Sequence, residues 1–254
     1  MKIISLNTFG GTYFNPLMEF AGEHAETTDV FCFQEMFSTC SRITESNGAR
    51  VNLYQELSSK LGFHSGRFAP SQDGYDFEGE IDFGLSYGLA QFVKNNMRLG
   101  GGEEFIIGTR NSRTGDSSTN PRNLQYVILG FNGGVYGVVH FHGLWNGQGK
   151  DDSDLRLLQS VRVRDAIAEL PGQKILCGDF NLNPETESLR ILEEGMVNLI
   201  KKYGIIDTRG KLYTKQERYA DYMLVSPELE KRIKKFEVPP VEVSDHLPLI
   251  LELE

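Results

Sequence analysis

The chain has 254 residues, of which 39% are hydrophobic and 24% are charged, and these proportions are ordinary for a folded protein with a substantial core. Its formal net charge of −9 argues against a broad basic face that binds DNA by charge alone, although a local basic rim can coexist with an acidic whole. No linker-like, low-complexity or charge-rich stretch divides the chain, so we expect one domain covering residues 1–254.

The sequence opens directly on a strand pattern, and no stretch is long and apolar enough for a signal peptide or a membrane span. Its three cysteines, Cys32, Cys40 and Cys177, form no Cys-x-x-Cys motif. Two of them fall inside apolar runs, which is typical of buried thiols in a reducing compartment. We therefore expect a cytoplasmic protein that is monomeric and has no membrane anchor.

Short runs rich in Val, Ile, Phe and Tyr predict strands at residues 2–7, 30–34, 64–69, 88–94, 104–109, 124–131, 134–142, 174–177, 219–225 and 247–253. Asn132-Gly133, between two of these runs, is a typical tight-turn sequence. Helices are predicted from the leucines at 53, 57 and 61, after the acidic residues at 151 and 152, and from about residue 184 to 194. Strands outnumber helices, which predicts an α/β fold, a four-layered sandwich of two packed mixed sheets flanked by helices.

Polar side chains end two of the predicted strands. Asn7 follows the first apolar run, and Glu35 follows Val30-Phe31-Cys32-Phe33-Gln34. A glutamate at that point is costly if it enters the core, but it is useful if it faces a hard divalent cation, which carboxylate and amide oxygens bind well. For each residue alone, a surface or turn position is an equally ordinary interpretation.

A second group of polar residues follows the strands in the middle of the chain. Gly178 permits a tight turn, and Asp179 and Asn181 are two residues apart, so they share one side in extended backbone. One can polarise water while the other donates to a phosphate oxygen. His140 and His142 also share a face, but no third ligand lies at a helpful spacing for zinc, so we interpret His142 as a phosphate donor.

The last group lies near the end of the chain. Asp221 falls within a predicted strand, where a buried carboxylate needs a partner, and His246 is the natural one. Asp221 would fix the tautomer of the imidazole and raise its pKa, which leaves Asp245 free for a metal. Together these groups supply the parts that metal-assisted attack on a phosphate ester requires.

In their order and spacing these segments resemble the endonuclease/exonuclease/phosphatase superfamily across nearly the whole chain. The matching pieces are Ser-Leu-Asn at 5–7, Phe-Gln-Glu at 33–35, His142, Gly-Asp-Phe-Asn at 178–181, Asp-Tyr-Met-Leu-Val-Ser at 221–226 and Ser-Asp-His at 244–246. The resemblance implies a two-sheet α/β sandwich. It also implies that Glu35 is the main ligand of Mg²⁺, with Mn²⁺ as a substitute, and that Asn7 and Asp245 lie close to it.

The resemblance implies a role for each of the remaining polar residues. Asp179 activates or orients water, and Asn181 contacts the scissile phosphate. His246, oriented by Asp221, stabilises the transition state or aids proton transfer, and His142 donates to phosphate.

The chain departs from the family pattern at two points. Phe9 stands where abasic-site enzymes of the family often carry an acidic residue, which puts a second metal and an abasic-site role in doubt. The family's deoxyribonucleases pair the mid-chain histidine with an upstream glutamate, and Glu78 and Glu80 are possible partners here.

Substrate choice is expected to depend on two polar loops. Residues 109–122 carry Arg110, Arg113 and Arg122, and the loop after His142 holds Trp145, the only tryptophan, and Lys150. An aromatic ring and cations beside a phosphate site could stack a base and hold a backbone, so nucleic acid is the first expected substrate. The arginines would equally suit a phosphorylated head group, so a phosphatase or phospholipase-type phosphodiesterase acting on small phosphorylated molecules or lipid head groups is the alternative. A catalytically silent binding module is a remote third.

Overall fold

The computed structural model describes residues 1–112 and 120–254. Two six-stranded sheets make up most of it. The first contains β1 (Lys2–Asn7), β2 (Val30–Ser38), β5 (His64–Asp73), β6 (Ser86–Lys94), β13 (Ile233–Glu237) and β14 (Leu249–Leu253). The second contains β7 (Arg98–Ile107), β8 (Arg122–Phe131), β9 (Gly134–His142), β10 (Gln173–Asp179), β11 (Val197–Asn198) and β12 (Asp221–Val225). A small ribbon pairs β3 (Glu45–Ser46) with β4 (Ala49–Arg50).

Both sheets are mixed. The strand order is β13-β14-β1-β2-β6-β5 in the first sheet and β11-β12-β10-β9-β8-β7 in the second. In each sheet one central pair is parallel, β1 with β2 and β9 with β10, and the other pairs are antiparallel. The parallel pairs bring the carboxyl ends of their strands to a common edge.

Helices cover the outer faces of the sheets. They are α1 (Phe14–His24), α2 (Leu53–Lys60), α3 (Asp154–Ala168), α4 (Glu187–Glu193) and the single turn α5 (Leu199–Lys202), with 3-10 turns at Phe9–Gly11 and Pro227–Arg232. Helices α1 and α2 pack on the first sheet, and α3 and α4 pack on the second. The four layers predicted from the sequence are therefore present.

Side-chain alternation explains how the sheets pack. Ile3 joins the large core that both sheets share, whereas its neighbour Ile4 joins the cluster beneath α1 and α2. Successive strand residues point to opposite faces, so a sheet that is covered on both sides reads as a continuous apolar run. Val30 and Phe31 divide between the same two clusters.

The predicted strands are present, and β1 and β9 match their predicted bounds. Several others are longer than predicted, β12 and β14 each begin two residues later, and β7 begins earlier and ends two residues sooner. The β8–β9 hairpin turns at Asn132 and Gly133, whose φ values of 47° and 76° are those of a tight turn with left-handed residues. Helix α1 and strand β13 were not predicted. Within the part of the chain that the structure describes, no helix combines the length and the apolar character that crossing a bilayer requires.

One edge of the sandwich collects the polar residues singled out above. Strand β1 ends at Asn7, β9 at His142 and β10 at Asp179. Asp179 lies opposite His142 on one side and opposite Asp221 on the other. The segment that leads into β14 reaches the same edge, because the Ser244 hydroxyl donates to the carbonyl of Asn7 at 2.7 Å.

Candidate active site

A cavity of about 360 Å³ opens at this edge. Seven of the twelve predicted site residues line it, namely Glu35, His142, Trp145, Asp179, Asn181, Asp245 and His246. Asn7 and Asp221 lie directly behind the lining, since each hydrogen bonds to a residue in it. The structure thus brings together the groups that the sequence placed far apart.

Glu35 reaches the cavity through an irregularity in β2. The register with β6 shifts between Phe33 and Met36, and Glu35 adopts a left-handed φ of 55°. The Thr8 hydroxyl contacts the carbonyls of Gln34 and Glu35 at 2.9 and 3.1 Å, which holds the bulge. Left-handed conformations of side chains other than glycine are costly and concentrate at functional sites.

The Glu35 carboxyl is crowded by like charge. Burial, together with the nearby carboxylate of Asp245, raises its pKa to about 7. The amide of Asn7 partly offsets this by donating a hydrogen bond to the carboxylate. A cation among Glu35, Asp179 and Asp245 would relieve the repulsion. These residues therefore fit a hard divalent metal by charge and by donor type.

Asp179 is the most heavily supported carboxylate of the site. Its Oδ2 accepts from Asn7 Nδ2 at 3.0 Å, and its Oδ1 accepts from the backbone N–H of Asn181 at 2.9 Å. Burial works against its negative charge, yet the positive charges of His246, Arg209 and others hold the pKa of Asp179 well below its usual range. It is therefore ionised and fixed in position.

Asp221 and His246 form the pair that the sequence predicted. His246 Nδ1 lies 2.7 Å from Asp221 Oδ2, and both side chains are about 3% exposed. Although burial opposes it, the Asp221 carboxylate raises the pKa of His246 above its ordinary value. The Thr208 hydroxyl accepts from the backbone N–H groups of Ala220 and Asp221, which anchors the start of β12. His246 Nε2 consequently faces the cavity, 3.5 Å from Asp179 Oδ2.

Arg209 completes this side of the site, and no motif in the sequence pointed to it. The loop that carries Arg209 forms an isolated bridge with His246, and Gly210 N–H donates to the Asp245 carbonyl at 2.9 Å. The guanidinium of Arg209 pairs with Asp245 Oδ2 at 3.0 Å and also contacts His246 Nε2. The Tyr213 ring supports it from 4.2 Å. Two neighbouring donors of this kind suit the oxygens of one oxyanion.

His142 is neutral in the native protein, because burial and the charge of Arg122 lower its pKa to about 3. Asn181 Nδ2 lies 3.2 Å from its Nε2, so Nε2 accepts and Nδ1 carries the proton toward the Tyr87 hydroxyl at 3.2 Å. Tyr87 therefore takes the place that Glu78 or Glu80 would have filled. No sequence pattern distinguishes Tyr87 from the other residues of its apolar strand.

The predicted substrate-binding residues divide into two groups. Trp145 lines the cavity, with Lys215 Nζ 5.2 Å from its ring centre. Lys150 is buried and its ammonium donates to the carbonyl of Tyr219 at 2.6 Å, so it supports the loop and does not line the cavity.

Arg110 lies outside the cavity lining and pairs with Asp73 at 2.8 Å. Arg113 lies outside the described residues. Among the described residues, the cations that line the cavity are Arg122, from the same predicted loop, together with Arg209 and Lys215.

Comparison with known proteins agrees with this geometry. A model of the Endonuclease/Exonuclease/phosphatase family matches residues 4–246. No curated protein sequence matches the chain significantly.

Solved structures share the fold at low sequence identity. A mannosyl-6-phosphatase of Bacteroides thetaiotaomicron is 18% identical with a TM-score of 0.74, covering 100% of this chain and 99% of that one. Zebrafish TDP2 in complex with a single-stranded DNA product is 16% identical with a TM-score of 0.65, covering 99% and 97%. The human Nocturnin catalytic domain is 16% identical with a TM-score of 0.64, covering 100% and 93%. The chain belongs to the Endonuclease/Exonuclease/phosphatase family and is a phosphoric ester hydrolase.

Proposed function

We propose that this protein hydrolyses a small phosphorylated ester with the help of a divalent cation. The cation is Mg²⁺, and Mn²⁺ can replace it. The observation that carries the proposal is the convergence of three carboxylates, Glu35, Asp179 and Asp245, with the cationic pair Arg209 and His246 around one cavity. Phosphate transfer needs this combination of anionic metal ligands and cationic donors to phosphate oxygens.

Glu35 and Asp245 would hold the cation, and Asn7 positions the carboxylates beside it. When bound, the cation would neutralise the phosphate and its leaving oxygen. Asp179, Asp221 and His246 also bring one ligand atom each within 4.8 Å of one another. Asp221 is committed to His246 Nδ1, however, so this trio suits catalysis better than metal binding.

The side chains of the site divide the remaining work. Asp179 is ionised and fixed, so it accepts a hydrogen bond from the attacking water and orients it. His246 and Arg209 donate to the phosphate oxygens as negative charge builds up. Asn181 lines the cavity beside the same group, and its Nδ2 donates to Nε2 of the neutral His142, which orients the amide.

Two observations favour a small substrate over the nucleic acid first expected. Lys150 and Arg110, on which that expectation depended, do not line the cavity. The net charge of −9 opposes binding of a long polyanion. A phosphatase among the similar structures agrees with this choice.

A nuclease is the second candidate. Trp145 and Tyr213 line the cavity, and Lys215 lies over the Trp145 ring. Such aromatic and cationic side chains can stack a base and hold a backbone phosphate. The DNA-bound structure among the similar folds agrees with this candidate.

The experiment offers purified protein a panel of esters with Mg²⁺, Mn²⁺ or EDTA. The panel comprises sugar phosphates, plasmid and single-stranded DNA, RNA, a phosphotyrosyl-DNA conjugate and sphingomyelin. We expect the protein to release inorganic phosphate from small esters when Mg²⁺ or Mn²⁺ is present, and to release none in EDTA. Metal-dependent DNA nicking without phosphate release would select the second candidate. An Arg110→Gln variant is the matched control, because that arginine lies outside the cavity lining.

A further inference from the structure

Arg122 begins β8 and lines the cavity on the wall that includes His142 and Tyr87. Its side chain is largely buried, with only 7% of the residue exposed. Among the described residues, Nε of Arg122 has no hydrogen-bond partner. A guanidinium has five donors and carries a charge at any physiological pH, so this position is costly unless something completes it.

The two buried arginines of the cavity differ in their counter-charge. Arg209 pairs with Asp245 at 3.0 Å. For Arg122, no carboxylate in residues 1–112 or 120–254 lies within ion-pair distance. Its hydrogen bond to Tyr87 is to a neutral hydroxyl, and its charge helps to lower the pKa of His142. An anion from outside the described chain would supply the missing partner.

Arg122 is linked to the carboxylates of the phosphate site through other side chains. It contacts Tyr87, the Tyr87 hydroxyl lies 3.2 Å from His142 Nδ1, and His142 Nε2 lies 3.7 and 3.6 Å from Glu35 and Asp179. Arg122 itself forms no ion pair with either carboxylate. A group held by Arg122 would be a neighbour of the scissile phosphate.

Two amides extend the same wall. Gln72 lies opposite Tyr87 in the β5–β6 ladder, and Asn120 precedes Arg122 by two residues. Both line the cavity, and the side-chain oxygen of each has no hydrogen-bond partner among the described residues. Buried amide oxygens without partners are uncommon, and they are suited to accept from hydroxyl groups.

We infer that Arg122, with Gln72 and Asn120 beside it, forms a second subsite that binds an anionic group on the leaving portion of the substrate. The favoured substrate is a small, hydroxyl-bearing phosphate ester that carries a second anion, either a carboxylate or a further phosphate. The inference rests on the proposed function, because it places the scissile phosphate at Asp179 and His246.

The test compares 3-phosphoglycerate with glycerol 3-phosphate, which share the phosphate and the central hydroxyl but end in a carboxylate and in a neutral hydroxymethyl group, respectively. Binding is measured with Mg²⁺ in an Asp179→Asn background, so that turnover does not interfere. The fluorescence of Trp145 reports it, since this is the only tryptophan and it lines the cavity. With Arg122 intact, 3-phosphoglycerate should bind at least about tenfold more tightly.

Arg122→Gln should reduce this preference to less than about threefold, mainly by weakening the binding of 3-phosphoglycerate. Arg122→Lys keeps the charge but loses the planar fork, so it should retain part of the preference, and it decides the case if the glutamine variant does not fold. Arg110→Gln, the exposed control, should leave the preference unchanged. No preference in the parent protein, or one that both folded Arg122 variants retain in full, would overturn the inference.

Turnover of the two esters by the unaltered protein is measured separately. If neither these two esters nor any small ester of the panel is hydrolysed, but binding depends on Arg122 as described, the proposed function fails and the subsite stands. If both esters are hydrolysed and the binding preference for 3-phosphoglycerate does not depend on Arg122, the proposed function stands and the subsite fails.

Discussion

The imidazole of His246 is held from behind by Asp221, at 2.7 Å, and its Nε2 faces the cavity. Asp221→Asn keeps the size of the side chain but removes the charge that holds the proton on the ring. We expect kcat to fall by about a hundredfold with KM within about threefold, because the loss is confined to a proton-transfer or electrostatic role. Steady-state kinetics on the best ester of the panel measures both. A variant rate within threefold of the wild type would remove Asp221 from this role.

Glu35 is a buried carboxyl whose pKa is raised to about 7 by burial and by the nearby charge of Asp245. Glu35→Gln should raise the Mg²⁺ concentration for half-maximal activity at least about tenfold, because a charged ligand becomes a neutral one. The control is Glu80→Gln, an exposed glutamate outside the cavity lining. An unchanged Mg²⁺ titration for Glu35→Gln would exclude Glu35 as a ligand.

The sequence predicted the acidic and imidazole residues of the site because each follows or interrupts an apolar run, where a polar side chain is conspicuous. Arg209 and Tyr87 carry no such signal. Arg209 lies in a loop whose position depends on an isolated bridge to His246, and Tyr87 sits in a strand where a tyrosine is ordinary. Lys150 was misleading, since its ammonium turns inward to the Tyr219 carbonyl.

At the scale of elements, the end of β10 depends on Gly178. Its φ of +133° lies in the region that favours glycine, and an added Cβ would lie 2.2 Å from the carbonyl oxygen of Phe141 in β9. Gly178→Ala should therefore lower the free energy of unfolding by roughly 3 kcal/mol, and it should also displace Asp179.

Urea unfolding of Gly178→Ala, beside Gly84→Ala, checks this expectation. Gly84 has no atoms within 4 Å of an added Cβ and no left-handed φ, so its variant should stay within about 0.5 kcal/mol of the wild type. Equal stability of the two variants would contradict the role assigned to Gly178.

Two elements show where prediction from the sequence stops. Strand β2 was expected to end at residue 34, but it continues to Ser38 through the bulge at Glu35. The contacts that hold this bulge come from β6 and from Thr8, which are distant from Glu35 in the sequence. Helix α1 contains Asn15, Pro16 and Gly22, which weaken any helical pattern. Its burial of Leu17, Phe20 and Ala21 against the first sheet stabilises it, and that contact is tertiary.

At the scale of the whole molecule, a buried polar bridge joins the two sheets. Gln34 Nε2 of the first sheet lies 3.1 Å from His140 Nδ1, and His140 Nε2 lies 2.9 Å from Gln125 Oε1 of the second. His140 is completely buried, and burial lowers its pKa to about 3. This network gives His140 a structural role, whereas in the sequence His140 and His142 formed only a weak zinc-binding pattern.

The bridge makes stability depend on pH. The unfolded chain protonates this histidine near its ordinary pKa of 6.5, whereas the folded chain does not until about pH 3, so stability falls as the pH drops from 6.5 toward 3. His140 alone should account for roughly 2 kcal/mol of loss at pH 5. His140→Gln should remove that part of the slope, which urea unfolding at pH 7 and pH 5 measures. An identical slope in the variant would show that His140 is charged in the native protein.

Both sheets contribute residues to the cavity at their common edge. The central claim is that these residues, with a divalent cation, cleave a phosphate ester. Initial rates of phosphate release, with Mg²⁺ and with EDTA, in the wild type and in Asp179→Asn, test it most directly. We predict that EDTA abolishes the wild-type rate and that Asp179→Asn lowers it at least about a hundredfold while the unfolding midpoint is preserved. A rate that survives EDTA, or a folded Asp179→Asn protein that keeps the wild-type rate, would contradict the account.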